Sequence, residues 1–232
     1  MKKSFKVIGF DADDTLWVNE PYFRASEKEF CALLKDFKSP DEVAKVLFVN
    51  EVRNLTLYGY GVKAFMLSMI ETALELSENK LPGTIVSAII ALGRKQLNHE
   101  VVVLDGIAEA LQQLHQKGQR MVLITKGDLL DQERKLSRSG LDQFFHHVEV
   151  MSEKHEENYL HLLEFLQVEP CDFLMIGNSI KSDILPVLNI GGYGIHIPFY
   201  EIWEHEITHE KINNPRFFEV NHISGIYPLL GL

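Results

Sequence analysis

Three short runs in this chain are apolar from end to end: VIGF at residues 7–10, MVLI at 121–124 and FLMI at 173–176. None alternates polar and apolar residues as a strand with one wet face does, so each reads as a strand buried on both sides. Helical spacing follows or separates them over residues 106–117, 129–139, 156–166 and 180–190, with further short strands expected at 147–151 and 193–197. Strands alternating with helices imply right-handed crossovers and a parallel sheet covered on both faces. Residues 22–99 break that pattern. They read as helix almost throughout, with Ser26 a candidate N-cap, Ser39 and Pro40 at the next helix start, and apolar residues at three- and four-residue steps over 61–76 and 82–97. The expected fold is therefore α/β, a Rossmann-like three-layer sandwich around a central parallel sheet. It is built from residues 1–17 and 101–232, with an all-helical insertion over 18–100. Insertions of that kind leave and rejoin at loops near a site, where they can act as lids.

Composition narrows the function classes. A formal net charge of -10 disfavours a long nucleic-acid polymer, whose binding rests on basic patches, but leaves room for a small anion held by a local positive site. No apolar run approaches the length of about eighteen residues that a membrane span needs. The start, MKKSFKVIGFDADD, is basic, but its apolar stretch stops at Asp11, too soon for a secretory signal, so a cytoplasmic protein is expected. Cys31 and Cys171 fit no metal spacing and no disulfide framework, and read as reduced thiols.

In open α/β sheets, ligands bind beyond the carboxyl ends of the strands. Three of those ends carry unusual polar residues here. The first places Asp11, Asp13 and Asp14 within four positions, although neighbouring carboxylates repel and raise each other's pKa. The second ends in Thr125-Lys126-Gly127-Asp128, and a later one in Gly177-Asn178-Ser179 with Ser182 and Asp183 on the following turn. Lys154 stands between the last two. Singly, each is an ordinary cap, loop or solvated side chain; the ordered set at successive strand ends is not ordinary.

That set resembles the motifs of the haloacid dehalogenase (HAD) superfamily, most of whose members are magnesium-dependent phosphatases. DADDTL (11–16) matches the first motif, Thr125 after MVLI the second, Lys154 the third by position, and GNSIKSD (177–183) resembles the fourth. The helical insertion falls where the superfamily carries its helical cap. The resemblance implies that Asp11 is the nucleophile forming an aspartyl-phosphate, and that Asp13 protonates the leaving alcohol and then deprotonates the attacking water. It further implies that Thr125 and the backbone N–H of Lys126 hold phosphoryl oxygens, while Lys154 offsets the charge of both nucleophile and phosphoryl group. Mg²⁺ is the implied cofactor, with Asp11, the Asp13 carbonyl, Asn178 and Asp183 as candidate ligands. A divalent cation is also what lets such carboxylates coexist. Two departures stand out. Asp14 occupies a position where many relatives carry Gly, and is expected to shape the turn. Asn178 stands where the superfamily usually has a metal-binding Asp, so Asn178 is the expected direct ligand, with Asp183 orienting a metal-bound water or Lys154; the reverse assignment remains open.

The implied reaction is hydrolysis of a small phosphorylated metabolite. A phosphomutase keeps the same two Asp residues. A phosphonatase would need a Schiff-base lysine in the insertion, where no lysine has a distinctive setting, and a low-turnover phosphate-binding protein is the reading from a different class. Asp13 argues against a dehalogenase. Leaving-group contacts are sought among Trp17, Phe23, Arg24, Arg53, Tyr58 and Tyr60, and oligomeric state has no sequence signal. HEITH at 205–209 fits a zinc-protease pattern, but no third ligand follows clearly beyond His222 or Glu219, and a short surface helix with its His and Glu in water is the expectation. Because an amide oxygen brings no formal charge, Asn178→Asp is expected to tighten Mg²⁺ binding; a magnesium titration that does not move in this variant counts against placing Asn178 on the metal.

Overall fold

The computed structural model describes residues 3–209 and 211–231. Met1 and Lys2, part of the basic start considered above, lie outside the described residues. The apolar runs form β1 (Val7–Phe10), β2 (Arg120–Lys126) and β4 (Phe173–Gly177), joined by β3 (His147–Met151), β5 (Tyr193–His196) and β6 (Phe217–Glu219). Among the described residues these make one six-stranded sheet in the order β3-β2-β1-β4-β5-β6, with every pairing parallel. From β1 the chain steps to β2 and β3 on one side, then crosses back to place β4 on the other side of β1. The switch point of the sheet is therefore the crevice between the ends of β1 and β4, where a ligand site is expected in such folds.

Both faces of the three central strands are dry. Ile8, Phe10, Met121, Leu123, Leu174 and Ile176 point to one core with Leu111 and Leu114 of α5 (Ile107–Gln116) and Ile226 of α9 (Ile226–Leu230). Val7, Val122, Ile124, Phe173 and Met175 point to the other, with Tyr159, Leu162, Leu163 and Leu166 of α7 (Glu156–Leu166) and Val187 of α8 (Leu185–Asn189). This is the three-layer arrangement that the unalternating strands require.

The chain divides into two compact units. The first runs up to Val18, through Val101–Lys126 and from Glu133 onward, and contains the sheet. The second, Asn19–Glu100 with Gly127–Gln132, holds α1 (Glu20–Leu33), α2 (Pro40–Tyr58), α3 (Val62–Leu76) and α4 (Gly83–Leu97). Its helices enclose a core of Phe30, Leu34, Leu47, Phe65, Met69 and Ile89. The helix α6 is Leu129–Ser139.

Four local expectations change. Ser26 is not an N-cap: Pro21 in the first turn starts α1 earlier, and Ser26 lies buried inside it. Ser39 does cap α2, in a reciprocal capping box with Glu42. The helix expected over 180–190 opens as a wide π-type turn, Ile180–Ile184, before α8 begins. The sixth strand was absent from the sequence reading, because three residues at a sheet edge leave no periodic trace. HEITH makes no helix: Glu204–Glu206 is a single 3₁₀ turn, so His205 and His209 do not share a helix face.

In the helical unit, burial pushes the Glu51 carboxyl up to about 8, with help from repulsion by Glu27 and Glu20 and against the pull of Arg24. A carboxyl whose folded-state pKa lies above its ordinary value gives stability at low pH that is lost as pH rises through the folded value. The melting temperature of this unit is therefore expected to fall between about pH 5 and pH 8, and Glu51→Gln should flatten that decline in a pH series of thermal melts.

Candidate active site

The site is built at the switch point by residues that all belong to the sheet-containing unit. Asp11 follows β1 directly, its backbone N–H bonded to the Ile176 carbonyl at 2.9 Å, which ties the residue to β4. The chain then turns sharply. Thr15 and Leu16 donate to the Ala12 carbonyl, and Asp14 adopts a left-handed backbone, φ +62°. Such a φ favours Gly but is tolerated by Asp, which accounts for the departure at this position: Asp14 shapes the turn.

Lys154 is the centre of the charge pattern. It is 3 % exposed, and its ammonium lies 2.5 Å from Asp11 Oδ1 and 2.7 Å from Asp183 Oδ1. Burial alone would push the Lys154 pKa down; the carboxylates of Asp11 and Asp183 reverse this and hold it well above its ordinary value. Burial, reinforced by repulsion from Asp183, pushes Asp11 upward, while Lys154 opposes the rise. The two acids and the lysine thus form one buried cluster in which Asp11 and Asp183 repel each other, a repulsion that a further cation would relieve.

Asp183 is fixed twice, since its Oδ2 also accepts the Ser179 N–H at 3.0 Å. A glycine makes this possible. A Cβ on Gly177 would collide with the Asp183 carboxylate, so β4 must end in a residue without a side chain for Asp183 to lie against it.

Asn178 meets the other oxygen of Asp11. Its Oδ1 accepts from Thr15 Oγ1 at 3.2 Å; with the amide turned over, its nitrogen donates to Asp11 Oδ2 at 3.2 Å, to Thr15 Oγ1 at 3.2 Å and to the Asp13 carbonyl at 3.3 Å. One end of the amide therefore sits among a carboxylate oxygen and a backbone carbonyl. With the amide oxygen facing them, the three acceptors make the all-oxygen donor set that a hard divalent cation takes. The residues fit Mg²⁺ on this ground. Among the described residues no three His, Cys, Asp or Glu side chains gather around a common metal position, so the donor set depends on the amide and the carbonyl.

The remaining expected residues lie close by in the same unit. Asp13 aims its Oδ1 at the Trp17 indole N–H, 2.7 Å, and the Lys135 ammonium of α6, 2.8 Å. Thr125 is 1 % exposed at the end of β2, the strand beside β1. The Lys126 side chain turns to Glu206 Oε1, 2.6 Å, and Ser182 Oγ, 3.1 Å. Sequence reasoning missed Lys135 and His196, and the contacts that Glu206 and Glu219 make. The pair His196–Glu219 bridges β5 and β6: His196 Nδ1 lies 2.9 Å from Glu219 Oε2 and its Nε2 lies 3.0 Å from the Asn178 carbonyl. Glu206 was visible only inside the HEITH pattern, which pointed to zinc and not to Lys126; no spacing marks Lys135 or His196, because each reaches the site from a separate element. Trp17 was visible four positions after Asp13, but it is 1 % exposed and braces Asp13 instead of meeting a leaving group. Within the helical unit, Arg24 pairs with Glu20 and Glu27, Arg53 and Tyr58 with Glu71, and Phe23 packs on Phe65.

The model of the haloacid dehalogenase-like hydrolases matches residues 5–191. The chain belongs to that family. It is similar to a glyceraldehyde 3-phosphate phosphatase of Pyrococcus furiosus, 26 % identical over 195 residues that cover 82 % of this chain and 79 % of the relative. It is also similar to the N-acylneuraminate-9-phosphatase of Mus musculus, 29 % identical over 101 residues, 41 % of this chain and 40 % of that one. Among solved structures, a haloacid dehalogenase-like family hydrolase from Xanthomonas campestris superposes with a TM-score of 0.88 and 38 % identity, covering 100 % of this chain and 94 % of that one. The family is one of hydrolases, and the Pyrococcus furiosus and Mus musculus relatives are phosphatases.

Gly177→Ala must displace Asp183 and with it one of the two anchors of Lys154. A misplacement on the order of 1 Å at a reacting centre costs roughly a hundredfold in rate. The variant is expected to lose about that much kcat/KM while its far-UV circular dichroism stays that of the wild type.

Proposed function

We propose that the chain is a magnesium-dependent phosphatase of small soluble phosphate monoesters, acting through an aspartyl-phosphate on Asp11. The observation that carries this reading is the setting of the Asp11 carboxylate, with Oδ1 on the buried Lys154 and Oδ2 beside the Asn178 amide. A nucleophile held at both oxygens is pre-oriented, and phosphoryl transfer asks for positioning and charge neutralisation more than for covalent machinery.

In the first half-reaction an Asp11 oxygen bonds to phosphorus while the ester bond breaks, and protonated Asp13 gives its proton to the leaving alcohol. In the second, Asp13 takes a proton from water as that water's oxygen bonds to phosphorus; the acyl-phosphate bond breaks, phosphate leaves, and Asp11 returns as carboxylate. Trp17 and Lys135 hold Asp13 by one oxygen, which supports its role as a positioned proton carrier. Thr125 and the Lys126 N–H receive phosphoryl oxygens, and the Lys154 ammonium offsets their charge. The Asp11 carboxylate, the Asp13 carbonyl and the Asn178 amide oxygen would hold Mg²⁺. When bound, the metal supplies neutralisation of the carboxylate and phosphoryl charges. The commitment of Asp183 to Lys154 and Ser179 supports Asn178 as the direct ligand, with Asp183 a positioning residue.

The helical unit, residues 18–100 in the sequence reading, serves in this proposal as the cap that selects the leaving group. The activities named for the phosphatase relatives support a small phosphorylated metabolite as substrate; a cytoplasmic location is part of the proposal. Purified protein is expected to release phosphate from para-nitrophenyl phosphate only with Mg²⁺ present, and Asp11→Asn should abolish the release. Hydrolysis surviving that substitution would falsify the mechanism.

A further inference from the structure

HEITH places Glu206 outside the machinery considered so far, yet its carboxylate is well enclosed. The side chain is 13 % exposed, although it comes from a segment with little apolar anchorage. Across residues 198–209 only Phe199 is buried, while Tyr200, Ile202 and Ile207 stand in solvent. Glu206 Oε1 accepts from the Lys126 ammonium at 2.6 Å, and Oε2 accepts from the hydroxyls of Ser179 and Ser182 at 2.6 Å each. Burial alone would push the carboxyl up; Lys126 and the two hydroxyls overcome this and bring it down to about 2, so Glu206 is ionised at all working pH values.

We infer that Glu206 is a positioning residue of the active site: its carboxylate ties the Ser179–Ser182 turn to Lys126, and thereby holds Asn178 and Asp183 in register with Asp11. The inference rests on the assignment of Asn178 and Asp183 proposed above. Its path is short. The Ser179 hydroxyl that Glu206 holds belongs to the residue whose N–H fixes Asp183 Oδ2, and that same hydroxyl accepts the Ser182 N–H at 3.0 Å. Ser182 is held from its other side by the Tyr159 hydroxyl on its carbonyl, 3.1 Å. A second thread runs the same way, since Lys181 of this turn donates to the His205 carbonyl at 2.7 Å. The π-type geometry of Ile180–Ile184 makes such cross-ties useful, because wide turns of this kind are rare and occur often at functional sites.

The competing account is that Glu206 merely fastens a loop. Removing two charged groups from water carries a desolvation cost that an apolar pair of similar size avoids, so a buried ion pair is a poor fastener. What it supplies is direction: three donors converge on one carboxylate at short range, and they come from the end of β2 and from the turn after β4. These are the two elements that the proposed mechanism must keep in register, one for the phosphoryl group and one for the metal and Lys154.

The test uses the full-length purified protein and two variants, Glu206→Gln and Glu206→Ala. The Gln variant keeps an oxygen for the serine hydroxyls but gives Lys126 no opposite charge; the Ala variant removes both. Mg²⁺ affinity is measured without substrate by isothermal titration calorimetry, kcat and KM with para-nitrophenyl phosphate, and folding by thermal melts. Loss of a group that orients metal ligands typically weakens binding by about 10- to 100-fold. Glu206→Ala is expected to raise the Mg²⁺ Kd by roughly tenfold and to lower kcat with little change in KM, with Glu206→Gln between it and wild type. Wild-type Mg²⁺ Kd and kcat in a folded Gln variant overturn the inference, as does a lowered melting temperature in either variant with Mg²⁺ affinity unmoved. Failure of the phosphatase reading would show separately, as wild-type protein that neither binds Mg²⁺ nor releases phosphate.

Discussion

The ammonium of Lys154, shut away from water between Asp11 and Asp183, is the interaction on which the rest of the site depends. An unpaired charge at that depth would cost several kcal/mol, so neither carboxylate can leave without destabilising the others. The arrangement sets which side chains can stand beside it. Gly177 must lack a side chain, Ser179 must present its N–H to Asp183, and β1 must deliver Asp11 at the level of Ile176. The carboxylates of Asp11, Asp13 and Asp183 still outnumber the two ammonium groups, Lys154 and Lys135, that meet them. That imbalance gives a chemical reason for a further cation at this place.

Parallel pairing supplies the frame. Because β1, β2 and β4 run side by side in the same direction, their carboxyl ends open on one edge, and the residues that follow each strand converge without long-range searching. Strand cores dry on both faces give the rigidity that lets distances of 2.5 to 3.3 Å be held between groups from separate elements. The contacts behind the strand-end residues are the other half of the site: Trp17 and Lys135 on Asp13, and His196 on the Asn178 carbonyl. Such supporting contacts decide whether a ligand set has the right orientation, even though they never meet the substrate.

Much of this was legible in the residues themselves. The apolar runs marked β1, β2 and β4 to within two residues, and the helical spacing marked α6 and α7 at their observed limits. The strand-end polar residues were found for the same reason: a carboxylate or lysine directly after a buried strand has few ordinary explanations when several occur in order. What escaped lacked a local signal. β6 is too short to show a period. Ser26 looks like a cap until Pro21 is seen to start the helix about two turns earlier. HEITH carries the spacing of a zinc helix, but local pattern does not decide whether five residues have enough neighbours to be helical, and here they do not.

By itself the sequence determined the sheet, because strands apolar on both faces have no stable place except between two layers of helix. It also determined the family, and the positions of Asp11, Asp13, Thr125, Lys154, Asn178 and Asp183, because each is tied to a strand end by local chain geometry. Only the tertiary structure decided their partners. Whether Asp183 meets Lys154, which oxygen of Asp11 faces Asn178, and where the Glu206 carboxylate goes all depend on side chains separated by long stretches of chain. Those pairings arise when packing brings the strand ends and the turn after β4 together, and short-range spacing contains no term for them.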